Sequence, residues 1–503
     1  MSLAKKAAAG VIWNFATGMG ARIFSFAGTL YVVRYISPDV YGAVNLAAAT
    51  TMIMSQLLNL NFGQYLIAKR DHSEEVPFHA TFLHLVLGVI MVAVLILFRA
   101  PLARLSHAEA AAYIPGLAVA MLIGRFAYVP EKMLLRELRF RNVAVGRGIS
   151  EILFTLTTLA FAQRLGGFAI VAANLMRASF LTMAFAVQVP WRAWIKPHAL
   201  RAATVKELVA YGVPVSIGGL AENVAYRGDN VLMGYFHGAG HAGTYIFTFN
   251  MAETPTESLA DHIGDVLSPS FAKLPPDDRG RAFVRSAKLM ALLVFPLSIG
   301  LASVAPTLAP TVIRDPKWVA VMPELVNMLI LLSFMSIVRP ISMTTTSLLQ
   351  SQRRPRVLMM LGIFKAITLL VIIFALGRLN PYWVCGAALI AYAVHMLAGL
   401  FAARATDQVP VLRVLFSIGP SLVACAPMAL AVIGVRTLLR SQGIHAGVFS
   451  LVIEVLTGVV VYPFSAYVFA RQATKDVIGV ARSMLDRRKQ RDSIVNDPPA
   501  QNQ

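Results

Sequence analysis

Val32-Val33-Arg34-Tyr35-Ile36-Ser37-Pro38-Asp39-Val40-Tyr41-Gly42 and Asn230-Val231-Leu232-Met233-Gly234-Tyr235-Phe236-His237-Gly238-Ala239-Gly240-His241-Ala242-Gly243 stand about 200 residues apart and read alike. In each, an apolar helix end reaches a Tyr, a tight turn follows, and a Gly opens the next helix. The segments after them also close alike, at Ile67-Ala68-Lys69-Arg70 and at Ser270-Phe271-Ala272-Lys273. One structural unit is written twice, and the residues between the copies decide how the two are related.

Those residues are overwhelmingly apolar. The chain of 503 residues is 57% hydrophobic and only 14% charged, with a mean hydropathy of +0.66. A soluble domain carries about 25% charge, so an ordinary soluble enzyme is excluded. Apolar runs of about 20 residues, the length that crosses a bilayer as a helix, recur from Gly10 to Ala470. They predict an all-α polytopic membrane protein with about fourteen transmembrane helices. The first eight spans fall at 9–35, 41–67, 78–98, 111–129, 143–163, 167–188, 208–236 and 241–266. Six more fall at 288–310, 320–348, 357–377, 383–403, 413–435 and 446–470. The repeated stretches join spans one to two and seven to eight, so six helices separate the copies. An even number makes both halves cross in the same direction. The expectation is two six-helix bundles in parallel repeat, 1–205 and 206–410, with two additional helices over 411–472 and a tail over 473–503.

The charge distribution orients the spans. The formal net charge of +20 would suit a nucleic-acid binder, but in a membrane protein Lys and Arg collect in cytoplasmic loops facing anionic lipid. With the amino terminus inside, 30 of the 45 basic residues lie on the cytoplasmic side, nine outside and six within spans. Both termini are therefore expected in the cytoplasm, with anionic lipid as a partner and no nucleic acid. Lys5 and Lys6 precede a span too long for a signal peptide, with Arg22 midway, which reads as a retained first helix. In the tail, Val477, Ile478, Ala481, Met484 and Leu485 share a helical face opposite Lys475, Arg482, Arg487, Arg488 and Lys489, the pattern of an interfacial helix.

Six cations fall inside spans: Arg22, Arg125, Arg177, Arg227, Arg339 and Lys365. Each costs roughly 3 kcal/mol at the bilayer centre, so six facing lipid would cost on the order of 10–20 kcal/mol. They must face protein or a wet cavity. Snorkelling to the interface competes with that reading for Arg125, Arg339 and Lys365, and a structural ion pair competes for Arg22, Arg177 and Arg227. Carboxylates cluster as well. Glu222 and Asp229 lie in span seven, and Glu253, Glu257, Asp261 and Asp265 recur at strict fours along span eight, on one stripe of the helix. Stacked like charges repel unless cations answer them or some are protonated, so these six are candidates for ion coupling. The competing reading pairs them with Arg227, Arg339 or Lys365. Glu151, four residues after Arg147, reads as a surface pair with it. Glu454 stands alone in span fourteen.

Several chemistries are set aside. No Gly-Lys-Ser/Thr phosphate loop is present, and no Asp-x-Asp pair. His237-x-x-x-His241 falls in a Gly-rich turn without an intervening Glu, which is poor as a zinc site. Cys385 and Cys425 lie inside apolar runs and define neither a disulfide framework nor a thiolate site. No enzyme activity, metal or cofactor is expected.

Arg34-Tyr35-Ile36-Ser37-Pro38-Asp39-Val40-Tyr41-Gly42 and Phe62-Gly63-Gln64-Tyr65-Leu66-Ile67-Ala68-Lys69-Arg70, in a 6 + 6 + 2 plan, resemble the opening of Wzx-type polysaccharide flippases. Gly228-Asp229-Asn230-Val231-Leu232-Met233-Gly234-Tyr235-Phe236, Gly243-Thr244-Tyr245 and Leu267-Ser268-Pro269 are similar to the second half of that family. The resemblance covers roughly residues 5–470. It implies the fold of the multidrug/oligosaccharidyl-lipid/polysaccharide exporter superfamily, a V-shaped pair of bundles working by alternating access in the bacterial inner membrane. It implies a polyprenyl-pyrophosphate-linked oligosaccharide as cargo, carried to the periplasmic leaflet for exopolysaccharide, capsule or O-antigen synthesis. The polysaccharide polymerase and chain-length machinery become candidate partners. Arg22 matches the usual first-helix arginine of the family's cationic cavity. Within the superfamily, a lipid II flippase and an ion-coupled multidrug antiporter are the alternatives.

Overall fold

The computed structural model describes residues 20, 24–60, 62, 65–66, 75–137, 139–313, 315–352, 354–476 and 479. All its regular structure is helical. The long helices in chain order are α1 Pro38–Leu57, α2 Glu75–Leu97, α3 Ile114–Arg136, α4 Phe140–Leu165, α5 Phe168–Ala186, α6 Ala202–His237 and α7 Ala239–Ala272. They continue with α8 Pro276–Val312, α9 Met322–Ser351, α10 Pro355–Leu376, α11 Pro381–Asp407, α12 Val411–Ser441 and α13 Val448–Phe469. Eleven of these are long and apolar enough to cross a membrane. The other two, α1 and α7, are the helices that follow the repeated stretches. They run for 20 and 34 residues but are less apolar. Most of the first expected span, with Arg22, and the amphipathic tail beyond Asp476 lie outside the described residues.

Local chemistry sets the helix ends. Ser37 is extended, Pro38 takes the first helical position with its φ already suited to it, and Asp39 meets the positive end of α1. Gly238, at φ +88°, separates α6 from α7 with a single residue, a conformation that a side chain would strain. At the start of α11, Asn380 Oδ1 accepts from the Tyr382 amide at 2.7 Å. Two helices are interrupted. α9 passes through a 3-10 stretch at Phe334–Val338. The second expected span, 41–67, does not run as one helix, because α1 stops at Leu57 and the chain opens through Leu58–Leu60.

The described residues gather into two compact units. The first holds the chain up to Thr254 together with Ala309–Leu332 and Arg356–His395. The second holds Pro255–Leu308, Ser333–Pro355 and the chain from Met396. Within the first, Phe62, Leu66, Met133, Leu134, Phe185, Trp194 and Leu208 form a dense apolar cluster. Within the second, Phe295, Cys425 and Met428 pack α8 against α12, and Tyr462 of α13 donates to Leu292 O at 2.7 Å. Ser465 similarly donates to Ala424 O at 2.7 Å. Such hydroxyl contacts join helices where lipid removes the hydrophobic drive between them. Leu430, Phe464 and Val468 instead stand outward and exposed, as side chains that face acyl chains do.

The sharpest packing detail concerns the repeat. A Cβ on Gly42 would run into Ala239 O, and a Cβ on Gly243 would run into Pro38 O. The contact is reciprocal: the fifth residue of each helix touches the first residue of the other. The opening turns of α1 and α7 therefore cross with backbone against backbone, as small-xxx-small pairs allow. Trp318, in the short helix Pro316–Ala320, is fully buried beside this crossing and donates to Ile36 O at 2.7 Å. Its ring stands 5.1 Å from Phe247 and 6.1 Å from Tyr41, closing an aromatic triad.

Candidate functional site

The cations that the sequence placed inside spans meet different surroundings. Arg125 of α3 is buried, and its guanidinium donates to His84 O at 3.0 Å and to Ser55 O and Leu58 O at 3.4 Å. It also reaches Met91 Sδ at 3.6 Å. Ser55 and Leu58 carry carbonyls freed where α1 stops, so Arg125 sits at the negative end of that helix. Gly88 makes the room, since a Cβ there would stand 2.5 Å from Arg125 Cδ.

Arg177 of α5 pairs with Glu151 of α4 at 3.2 Å, donates to Asn174 Oδ1 at 2.7 Å and lies over the Phe154 ring. This corrects the expected Arg147–Glu151 pair: Arg147 contacts Glu131 instead. An Arg four residues before a Glu is the weaker order on a helix, and α5 supplies Glu151 with a better placed partner.

A group of charges on four helices lies in the first unit. Asp229 of α6 is fully buried, with Oδ2 accepting from Tyr245 of α7 at 2.7 Å and Oδ1 from the Asn230 amide at 2.8 Å. The cations whose field acts on it are Arg227 and Lys365. Lys365 of α10 holds its ammonium 3.8 Å from the centre of the Tyr392 ring on α11, a cation–π distance. Arg227 lies over Tyr226, and its buried Nε has no hydrogen-bond partner among the described residues. His395 Nδ1 is likewise buried without one. Helices α6, α7, α10 and α11 thus bring two cations, one carboxylate and three tyrosine rings into a single compact unit.

The remaining candidates are dispersed. Glu222 is exposed on α6, Glu253 is buried on α7 and Glu257 is half-buried one turn later. Asp261 and Asp265 lie further along α7, with side chains outside the described set. Arg339 is half-buried where α9 resumes after its 3-10 stretch. Glu454 is fully buried in the second unit, where it accepts from Thr307 at 2.6 Å, while Arg436 donates to Ser303 O at 2.6 Å. The sequence reading missed Tyr245 and Tyr392. A signal existed for Tyr245: Asp229 and Tyr245 stand nine residues before and seven after Gly238, similar depths on the two arms of one helical hairpin.

Comparison with known proteins fits this architecture. Residues 31–323 match the family model described as "Polysaccharide biosynthesis protein". The chain belongs to this family. It is 25% identical over 498 residues to the succinoglycan biosynthesis transport protein ExoT of Rhizobium meliloti (strain 1021), covering 96% of this chain and 97% of that one. In fold it is similar to the lipid II flippase MurJ in an inward closed conformation, with a TM-score of 0.73 at 13% identity, covering 92% of this chain and 99% of that one. It is also similar to an inward-facing multidrug resistance MATE transporter of the MOP superfamily, with a TM-score of 0.58 at 16% identity, covering 79% and 98%. This member of the polysaccharide biosynthesis family is a Wzx-like multi-pass membrane transporter with the fold of the MOP transporters, and not an enzyme.

Proposed function

We propose that the chain flips polyprenyl-pyrophosphate-linked oligosaccharide units from the cytoplasmic to the periplasmic leaflet of the bacterial inner membrane, by alternating access. The observation that carries this reading is that buried Asp229, hydrogen-bonded to Tyr245, lies within the field of two cations of the same unit, Arg227 and Lys365. A pyrophosphate bears about two negative charges and needs Arg or Lys partners in low dielectric, whereas an organic cation would be repelled. That disfavours the multidrug antiporter. Arg125 and Arg177 are further candidates for cargo contact within the first unit, Arg125 while holding the end of α1, and Arg22 and Arg339 remain candidates on the sequence alone.

Fourteen crossings in a 6 + 6 + 2 plan accompany this reading, with boundaries near 205, 410 and 472 and both termini cytoplasmic. The reciprocal Gly42–Gly243 contact supports the repeat, because a two-fold relation between the copies produces that pairing. Ion coupling would use Asp229 with Glu222, Glu253, Glu257, Asp261 and Asp265. Anionic lipid, the polysaccharide polymerase and the chain-length machinery are the partners this role implies.

Reconstituted vesicles carrying a fluorescent polyprenyl-pyrophosphate oligosaccharide test the proposal. Arg227→Gln and Lys365→Gln are expected to slow flipping by roughly tenfold or more at unchanged protein incorporation, the scale of one lost charged contact. Unchanged flipping in both variants overturns it. Faster flipping of lipid II than of longer glycans by the wild type would favour the lipid II reading.

A further inference from the structure

The end of the first unit where α1 and α7 begin carries titratable groups that the proposed cargo site does not use. Asp39 stands in the first turn of α1, His241 in the first turn of α7 and Glu324 in the first turn of α9. His241 Nδ1 and Glu324 Oε1 are 2.7 Å apart. Asp39 lies against Gly240, the residue before His241, since a Cβ there would stand 2.5 Å from Asp39 Oδ1. His237, in the last turn of α6, has its ring centre 6.1 Å from that of His241 and donates from Nε2 to Gly377 O at 2.6 Å. His107 approaches Gly238, with Nε2 3.8 Å from a Cβ built there. This group adjoins the place where α1 and α7 touch through Gly42 and Gly243.

The charges here do not balance while His241 is neutral. Two carboxylates, Asp39 and Glu324, stand near it, each in the first turn of its helix. An Nδ1–H bond to Glu324 leaves Nε2 as the atom that takes a proton. Protonation there makes the hydrogen bond to Glu324 a full ion pair with α9 and sets a positive charge beside Asp39 of α1. Two things oppose it, the half-charge at the start of α7 and a protonated His237. Two full carboxylate charges outweigh the helix end, and His237 is turned toward the Gly377 carbonyl. The His241 side chain is 43% exposed, so water reaches it.

We propose that His241 is a proton-operated clasp: a proton taken from the outer side ties the start of α1, through Asp39, to α7 and α9, and holds this end of the transporter shut. The direction suits an exporter. External protons would reset the outer end after cargo has left, and their loss would free it to open. The clasp rests on the alternating-access reading, but its test needs no cargo, so it can fail while flipping stands.

The test uses the full chain in lipid nanodiscs, with spin labels at Tyr35→Cys and Tyr235→Cys, both exposed and in the first unit. The closed, short-distance population should fall about threefold between about pH 5.5 and about pH 8, the range in which histidine titrates. His241→Gln should show one distribution at both values. Glu324→Gln keeps the imidazole but removes its counter-charge, so its transition should move down by about one pH unit. Identical wild-type distributions at both pH values, an unaltered response in His241→Gln, or an unmoved midpoint in Glu324→Gln would each overturn the clasp.

Discussion

Arg125 and Arg227 show why equal residues in equal-looking spans do different work. Arg125 is caged by main-chain carbonyls of α1 and α2, whereas Arg227 has a buried Nε without a hydrogen-bond partner among the described residues. Arg125→Leu leaves the carbonyls of Ser55 and Leu58 without this donor, at about 1–3 kcal/mol each where water cannot replace it. We expect a clear fall in the thermal unfolding midpoint of detergent-solubilised Arg125→Leu, and only a slight one in Arg227→Leu. Arg125→Lys should recover part of the loss, since an ammonium carries the charge but cannot fork to several carbonyls. A midpoint in Arg125→Leu equal to the wild type would show that the cage is not stabilising. The sequence told that six cations stood in spans but not which one was caged. Backbone carbonyls belong to every residue type, so the acceptors of Arg125 leave no trace in side-chain identity. The Arg177–Glu151 pair was hidden for a different reason: it joins two helices, and spacing along one helix pointed to Arg147.

At the scale of the helix, apolar patterning located nearly every long segment, because a bilayer imposes one length on all of them. It missed the stop of α1 at Leu57, since Leu57, Leu58 and Leu60 keep the run largely apolar around Asn59, while the freed carbonyls are taken by Arg125 and by Ser216, which donates to Asn59 O. The repeated stretch was legible as sequence, yet its packing was not; that Gly42 and Gly243 face one another needs the fold. Because each glycine touches a carbonyl of the other helix, the two sites share one gap. Gly42→Ala and Gly243→Ala should each destabilise the protein, and the double variant should lose less than the sum of the two, since the first side chain has already parted the helices. Strictly additive unfolding midpoints would mean that the crossing adapts at each glycine independently.

Across the whole molecule, the distribution of Lys and Arg gives an expected orientation of the spans but no source of energy. If movement is coupled to an ion gradient, a carboxylate whose charge can change inside the protein is the natural sensor. Asp229 has that position. It is buried, held by Tyr245 across the α6–α7 hairpin, and shares its surroundings with the cations proposed to take the pyrophosphate. When the carboxylate is ionised it competes with cargo for Arg227 and Lys365, and when it is protonated it releases them. Loading of cargo and loading of a proton on Asp229 therefore assist one another on the same side of the membrane. Discharge of both on the other side would make the outward flip run with a proton gradient directed outward, and slow it under one directed inward. Antiport predicts the opposite sign and would require the carboxylate to stay ionised while cargo is bound. Vesicles of defined orientation with an imposed pH gradient decide between these, and Asp229→Asn should flip at one rate whatever the gradient. A wild type that is itself indifferent to gradients of proton and sodium would remove Asp229 from coupling and leave its bond to Tyr245 as a structural tie between α6 and α7.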